Sequence, residues 1–250
     1  MSLLRIRDLR LNFGGLQALA GVSLDLGEGE TLALIGPNGS GKTSLFNCIT
    51  GLYRATSGAL EFAGESLIGV LPHAVVGLGI ARTFQNSRLF PSLSVLDNLL
   101  LGRHRHFKRR LLDAVLRRRG EETRQRRRCE EIVEFLGLRA WRKHRASDCP
   151  FGVQKRVELG RALATEPRLL LLDEPFSGLT GEEKGEVSRC VREIGGGLGI
   201  AILLVEHDLR VASRLAGRMI ALDRGLKIAE GTPSDVRQCP EVVRAYLGEG

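Results

Sequence analysis

Residues 4–12, LRIRDLRLN, alternate apolar and polar positions, the pattern of a half-buried antiparallel strand. The runs TLALIG (31–36), LLLLDE (169–174) and AILLVE (201–206) do not alternate. Continuous apolar runs of that length fit strands covered on both faces, as in a parallel sheet flanked by helices. Helical patterns follow them at 42–50, 182–194 and 209–215. Strand then helix, repeated, predicts an α/β fold with crossover connections.

The middle of the chain breaks that rhythm. Residues 87–161 are rich in Leu, Arg and Glu and show no strand pattern, which predicts an inserted helical subdomain. GGGLG (195–199) reads as a flexible break before the next strand. There is no internal repeat and no long linker, so 250 residues read as one compact domain carrying that insertion.

Composition adds exclusions. The longest apolar runs fall far short of the ~18 residues a membrane-spanning helix needs. The start, MSLLRIRDLR, has charges where a secretory signal needs an apolar core. Five cysteines with no CxxC pair point to reduced thiols, not to a disulfide framework or a zinc site. The net charge of +8 invites a nucleic-acid reading, yet residues 103–128 alone hold 12 Lys/Arg against 3 Asp/Glu. The basicity therefore belongs to one segment. It reads first as a solvated helical face, next as a contact for anionic lipid headgroups, and last as a nucleic-acid surface.

The chemistry begins at GPNGSGKT (Gly36–Thr43), directly after a strand and opening a helix. It matches G-x-x-x-x-G-K-[ST], in which glycines let backbone N–H groups curl round a phosphate and the helix N-terminus adds its positive end. Lys42 would reach the β and γ phosphates and Thr43 would offer its hydroxyl to Mg²⁺. The alternative is a glycine-rich turn with a chance lysine. At the end of the buried run LLLLDEP, Asp173 would orient Mg²⁺ or its water and Glu174 would activate the hydrolytic water. Paired acids there also suit a helix cap.

With these in place the chain resembles an ATP-binding cassette (ABC) ATPase along essentially its whole length. In order it shows the phosphate loop, RTFQNSRLF (82–90), CPFGVQKRVELGRAL (149–163), LLLLDEPFSGL (169–179) and LLVEHDL (203–209). The resemblance implies a P-loop ATPase core, a mostly parallel sheet with an N-terminal antiparallel β region, and a helical subdomain at 87–161. It implies ATP and Mg²⁺ as cofactors, held by Gly36, Pro37, Asn38, Gly39, Ser40, Gly41, Lys42, Thr43 and Ser44, with Asp173 and Gln85 on the metal. Catalysis would fall to Glu174, His207 and Gln85. Phe13 would stack on adenine, with core packing as its rival. Residues 149–153 stand where the family has its signature loop, LSGGQ, which closes on the ATP of a partner subunit. Pro150, Phe151 and Val153 depart from that pattern and Gly152 remains. Thr180 replaces the family's acid or amide. Both departures point to two unequal sites in a heterodimer.

The stretches 79–104 and 228–249, together with the proline- and aromatic-containing signature, resemble the ATP-binding subunits of branched-chain amino acid importers. That implies a second ABC ATPase subunit, two permeases and a periplasmic solute-binding protein as partners. It also implies a place on the cytoplasmic face of the bacterial inner membrane. No nucleic-acid partner is expected. Urea, amides or another amino acid are alternative solutes, lipopolysaccharide export is an alternative role, and a nucleic-acid-associated ABC ATPase is a distant one. A small-molecule kinase would leave EHDL and the signature remnant as coincidences.

Overall fold

The computed structural model describes residues 2–83, 89–104 and 118–247. They form two compact units. The first comprises residues 1–82, 168–174 and 191–250, the second 83–167 and 175–190.

In the first unit, β1 (Ser2–Phe13), β2 (Leu16–Gly27), β4 (Ser57–Phe62) and β5 (Glu65–Ser66) make one sheet in the order β2-β1-β4-β5, antiparallel throughout. A second sheet runs β10-β9-β3-β8-β7-β6, from β3 (Thr31–Ile35), β6 (Ile80–Arg82), β7 (Leu169–Asp173), β8 (Ala201–Val205), β9 (Arg218–Asp223) and β10 (Leu226–Gly231). All its pairs are parallel except the hairpin β9–β10. The apolar runs are strands because both their faces are covered. Leu32 and Leu34 of β3 enter the large core with Leu169, Leu171, Leu203 and the inward residues of the antiparallel sheet. Ala33 and Ile35 enter a smaller cluster with Ala212, Met219, Val236 and Val242. Each fully buried leucine contributes about 1.5–3 kcal/mol.

In β1, Leu4, Ile6, Leu9 and Leu11 are buried, as the alternation predicts, but Arg7 and Asp8 both face solvent. The register shifts between Ile6 and Leu9, and Asp8 sits at φ 43, so a β-bulge resets the pattern.

Around the second sheet lie α1 (Lys42–Ile49), α2 (Pro72–Gly77), α7 (Leu209–Leu215), α8 (Pro233–Gln238) and α9 (Pro240–Leu247). The caps are in the sequence: Asp208 accepts from the N–H groups of Arg210 and Val211, and Thr232 and Asp235 form a capping box. The glycine run expected as a flexible break is instead a π-helical turn, Glu193–Gly197. Ile194 and Gly195 are buried there, and a side chain at Gly195 would meet the Thr31 hydroxyl at 2.8 Å. Close packing explains the glycine.

The second unit is helical: α3 (Val95–Gly102), α4 (Arg118–Phe135), α5 (Phe151–Leu163) and α6 (Gly181–Arg192) as far as Cys190. Ser94 caps α3 by accepting from Asp97 N–H at 3.1 Å. Buried Arg103 is held by Gln125 Oε1 at 2.6 Å and the Ala164 carbonyl at 2.9 Å. Among the described residues no helix is long and apolar enough to cross a membrane. Much of the basic segment, 105–117, lies outside the described residues.

Candidate functional site

The parallel strand β3 ends at Ile35, and the chain then turns through 36–41 into α1. Gly36, Gly39 and Gly41 take φ values of 148°, 81° and 105°, a region that side chains resist. At Gly36 the constraint is also steric: a Cβ would stand 2.2 Å from the Leu222 carbonyl oxygen. Lys42, only 6 % exposed, folds back and donates to the Gly36 and Pro37 carbonyls, both at 2.8 Å, and to Ser40 Oγ at 3.3 Å. Burial pulls its ammonium below the usual lysine range, while the Glu174 and Asp173 carboxylates pull the other way. Thr43 is exposed and Ser44 half-buried at the start of α1. Two contacts from outside the loop hold it: Gly225 N–H donates to the Ser40 carbonyl at 3.0 Å, and Gly36 N–H donates to Tyr246 Oη at 2.9 Å.

Asp173 ends β7 and Glu174 follows it. Neither is a helix cap. Asp173 Oδ2 accepts from Arg82 Nη2 at 2.7 Å, with both side chains 8 % exposed, and Arg82 Nη1 donates to Asn47 Oδ1 of α1 at 2.7 Å. Arg82 also lies over the Phe46 ring at 5.4 Å. One arginine at the end of β6 thus ties the acid of β7 to the helix behind the phosphate loop. Arg82 stands in the ARTF stretch, but nothing local to the sequence signals the pair. Glu174 adopts φ 47° and donates its N–H to the Val205 carbonyl at 3.0 Å, which fixes an unfavourable backbone at the strand end. His207, past β8, brings Nδ1 to 3.9 Å from Glu174 Oε2, beyond hydrogen-bond length. The geometry brings Lys42, Asp173, Glu174 and His207 together at the ends of adjacent parallel strands β3, β7 and β8.

Phe13 is not a core residue: it is 45 % exposed and meets Tyr53 edge-on at 5.1 Å. Gln85 lies outside the described residues.

In the second unit Pro150 occupies the N-cap of α5 and offers no side-chain bond. The carboxylate of Glu183 does that work from α6. Its Oε1 accepts from Gly152 N–H at 2.9 Å, and its Oε2 accepts from the Thr180 N–H and hydroxyl, each at 3.0 Å. One side chain therefore joins Thr180 to Gly152, two residues past Pro150. Phe151 adds a second link, its Cε1 lying 3.1 Å from where a Gly178 side chain would begin. These bonds from Thr180 and Gly152 hold the Glu183 carboxyl below its ordinary range. A depressed carboxylate contributes stability above its unfolded value of 4.5, and that contribution is lost as pH falls through the lower folded value. Glu183→Gln should lower the melting temperature by a few degrees at pH 7, with the gap closing below pH 4.5; a gap that persists in acid would contradict the charged cap.

No group of three or more His, Cys, Asp and Glu among the described residues is arranged to hold a metal. Mg²⁺ prefers hard oxygen ligands such as hydroxyls and carboxylates. Thr43 and Asp173 are the hard oxygen donors at hand.

A family model described as "ABC transporter" matches residues 19–177, and one described as "Branched-chain amino acid ATP-binding cassette transporter" matches 227–250. The chain is 38% identical over 250 residues to the high-affinity branched-chain amino acid transport ATP-binding protein LivG of Salmonella typhimurium, covering 99% of this chain and 98% of that protein. To BraF of Pseudomonas aeruginosa, of the same description, it is 34% identical with the same coverage. Among solved structures, a nucleotide-free ATP-binding cassette from an ABC transporter superposes with a TM-score of 0.88 at 32% identity, covering 100% of both chains. The ADP conformation of an ATP-binding cassette gives 0.87 at 31%, again over 100% of both.

Proposed function

The chain belongs to the ABC transporter family, and from that premise we propose that it is the ATP-hydrolysing subunit of an importer for branched-chain amino acids. The observation that carries the solute class is the match of the tail, residues 227–250, to the branched-chain amino acid cassette model. End-to-end similarity to LivG and BraF supports it.

The whole chain is read as one nucleotide-binding domain whose second unit is the helical subdomain. Gly36 to Ser44 wrap the phosphates, with backbone N–H groups and Lys42 meeting their charge. Bound Mg²⁺ would neutralise charge on the β and γ oxygens; Thr43, Asp173 and Gln85 are its ligands in this reading. Asp173 reaches that role by exchanging its Arg82 partner. Glu174 takes the proton of the attacking water, and His207, exposed beside it, meets the γ-phosphate. Phe13 offers a ring face to adenine. Gly152 presents the signature loop to the ATP of a second, different ABC ATPase subunit. ATP favours the closed pair and so shifts two partner permeases between access states, while a periplasmic binding protein delivers solute. The subunit then sits peripherally on the cytoplasmic face of the inner membrane.

Mild detergent extraction from native membranes, followed by mass spectrometry of what co-purifies, tests this reading. Two permeases and a second cassette ATPase are expected. Ribosomal or DNA-repair proteins without any membrane protein would refute it.

A further inference from the structure

Gly36 N–H is the first amide beyond the parallel ladder, whose last β3–β9 pair is Ile35 with Ala221. Gly36 is buried between Leu222 and Ser40, so this donor needs a protein partner. The partner comes from 210 residues away: Tyr246 Oη, at 2.9 Å. Tyr246 is on α9, near the end of the tail, and packs against the cluster of Ala33, Ile35, Met219 and Val242. The same Gly36 gives its carbonyl to Lys42.

We propose that Tyr246 is a positioning residue for nucleotide binding: its hydroxyl pins the entry of the phosphate loop, so the tail sets how much of the free protein holds the loop ready. Lys42 is the loop's internal lock, and it must redirect its ammonium when phosphates arrive. Tyr246 does not compete for the phosphates, so it keeps Gly36 at its φ of 148° through that exchange. A loop released from Tyr246 samples other conformations, and apparent affinity falls by the fraction that remains competent. The tail matched by the branched-chain model thus acts on the ATP site of its own subunit. This rests on the reading that residues 36–44 hold nucleotide phosphates.

Tyr246→Phe keeps the ring and removes the acceptor. With the full chain, calorimetric titration with ADP should show Kd raised about five- to tenfold. The nucleotide-free melting temperature should fall by only a few degrees. In the assembled transporter the KM for ATP should rise by a similar factor with kcat nearly unchanged, a split that general loosening of the fold does not produce. Equal ADP affinity in the variant, or a loss that comes with collapse of the melting temperature, overturns the proposal. Hydrogen exchange in the wild-type chain gives a check independent of the variant. The Gly36 amide should be protected without nucleotide, and exchange at the rate of an open amide also overturns it. A wild-type chain that fails to bind ADP would instead defeat the reading of the phosphate loop.

Discussion

Glu174→Gln should slow ATP turnover by the assembled transporter about 10²–10⁴-fold, the usual contribution of a positioned general base. The change is nearly isosteric and retains a hydrogen-bonding oxygen; what it removes is basicity. The backbone at 174 holds a left-handed φ of 47° through its bond to Val205, and a side-chain amide leaves that bond in place. ADP affinity should therefore stay within a few-fold, because the loop, Lys42 and Asp173 are untouched. Phosphate release measured beside ADP titration separates the two effects. Unchanged turnover in the assembled complex would sink the assignment of Glu174. A parallel loss of binding would instead mean that the substitution had disturbed the strand end.

What could be seen in the sequence was what is local. The strands β3, β7 and β8 announce themselves because consecutive residues, such as Leu34 and Ile35, bury into clusters on opposite faces. The phosphate loop announces itself because three positions need glycine and one needs a lysine, all within a single turn. β2 and β10 carry no such mark. Both carry mixed polar and apolar positions, and their place comes from pairing with β1 and β9. The glycines at 195–197 read as a break, yet Gly195 packs closely, since the same lack of a side chain that breaks a helix also permits close packing. The supports of the site were the least visible. Arg82 with Asp173, Glu183 with Gly152 and Tyr246 with Gly36 are separated by 91, 31 and 210 positions. Each is an ordinary residue alone, and only the fold makes it a partner. The structure also changes what the signature departure means: Pro150 removes a cap and Glu183 supplies one.

Lys42→Ala should weaken ADP binding about 10²–10³-fold, the loss of roughly two charge-assisted contacts to phosphate. Structural damage should be small. The ammonium is buried at 6 % exposure, and its partners in the free protein are carbonyls and a hydroxyl, not a carboxylate. Burying that charge is unfavourable, which is why burial lowers its pKa despite the pull of Glu174 and Asp173. Between the lowered folded value and the ordinary 10.5, the unfolded chain binds more protons than the folded one, so this group makes stability rise with pH. Below that window its cost is present in full. The wild type should accordingly gain stability relative to Lys42→Ala as pH rises through the window. Nucleotide affinity runs the opposite way: phosphate needs the protonated lysine, so wild-type ADP binding should weaken over the same alkaline range, and the variant should show no such slope. Melting curves of both proteins across that range read the first effect, and calorimetric titrations with ADP read the second. If Lys42→Ala binds ADP as the wild type does, the buried ammonium serves only to close the loop on itself, and the phosphates must be met by backbone N–H groups alone.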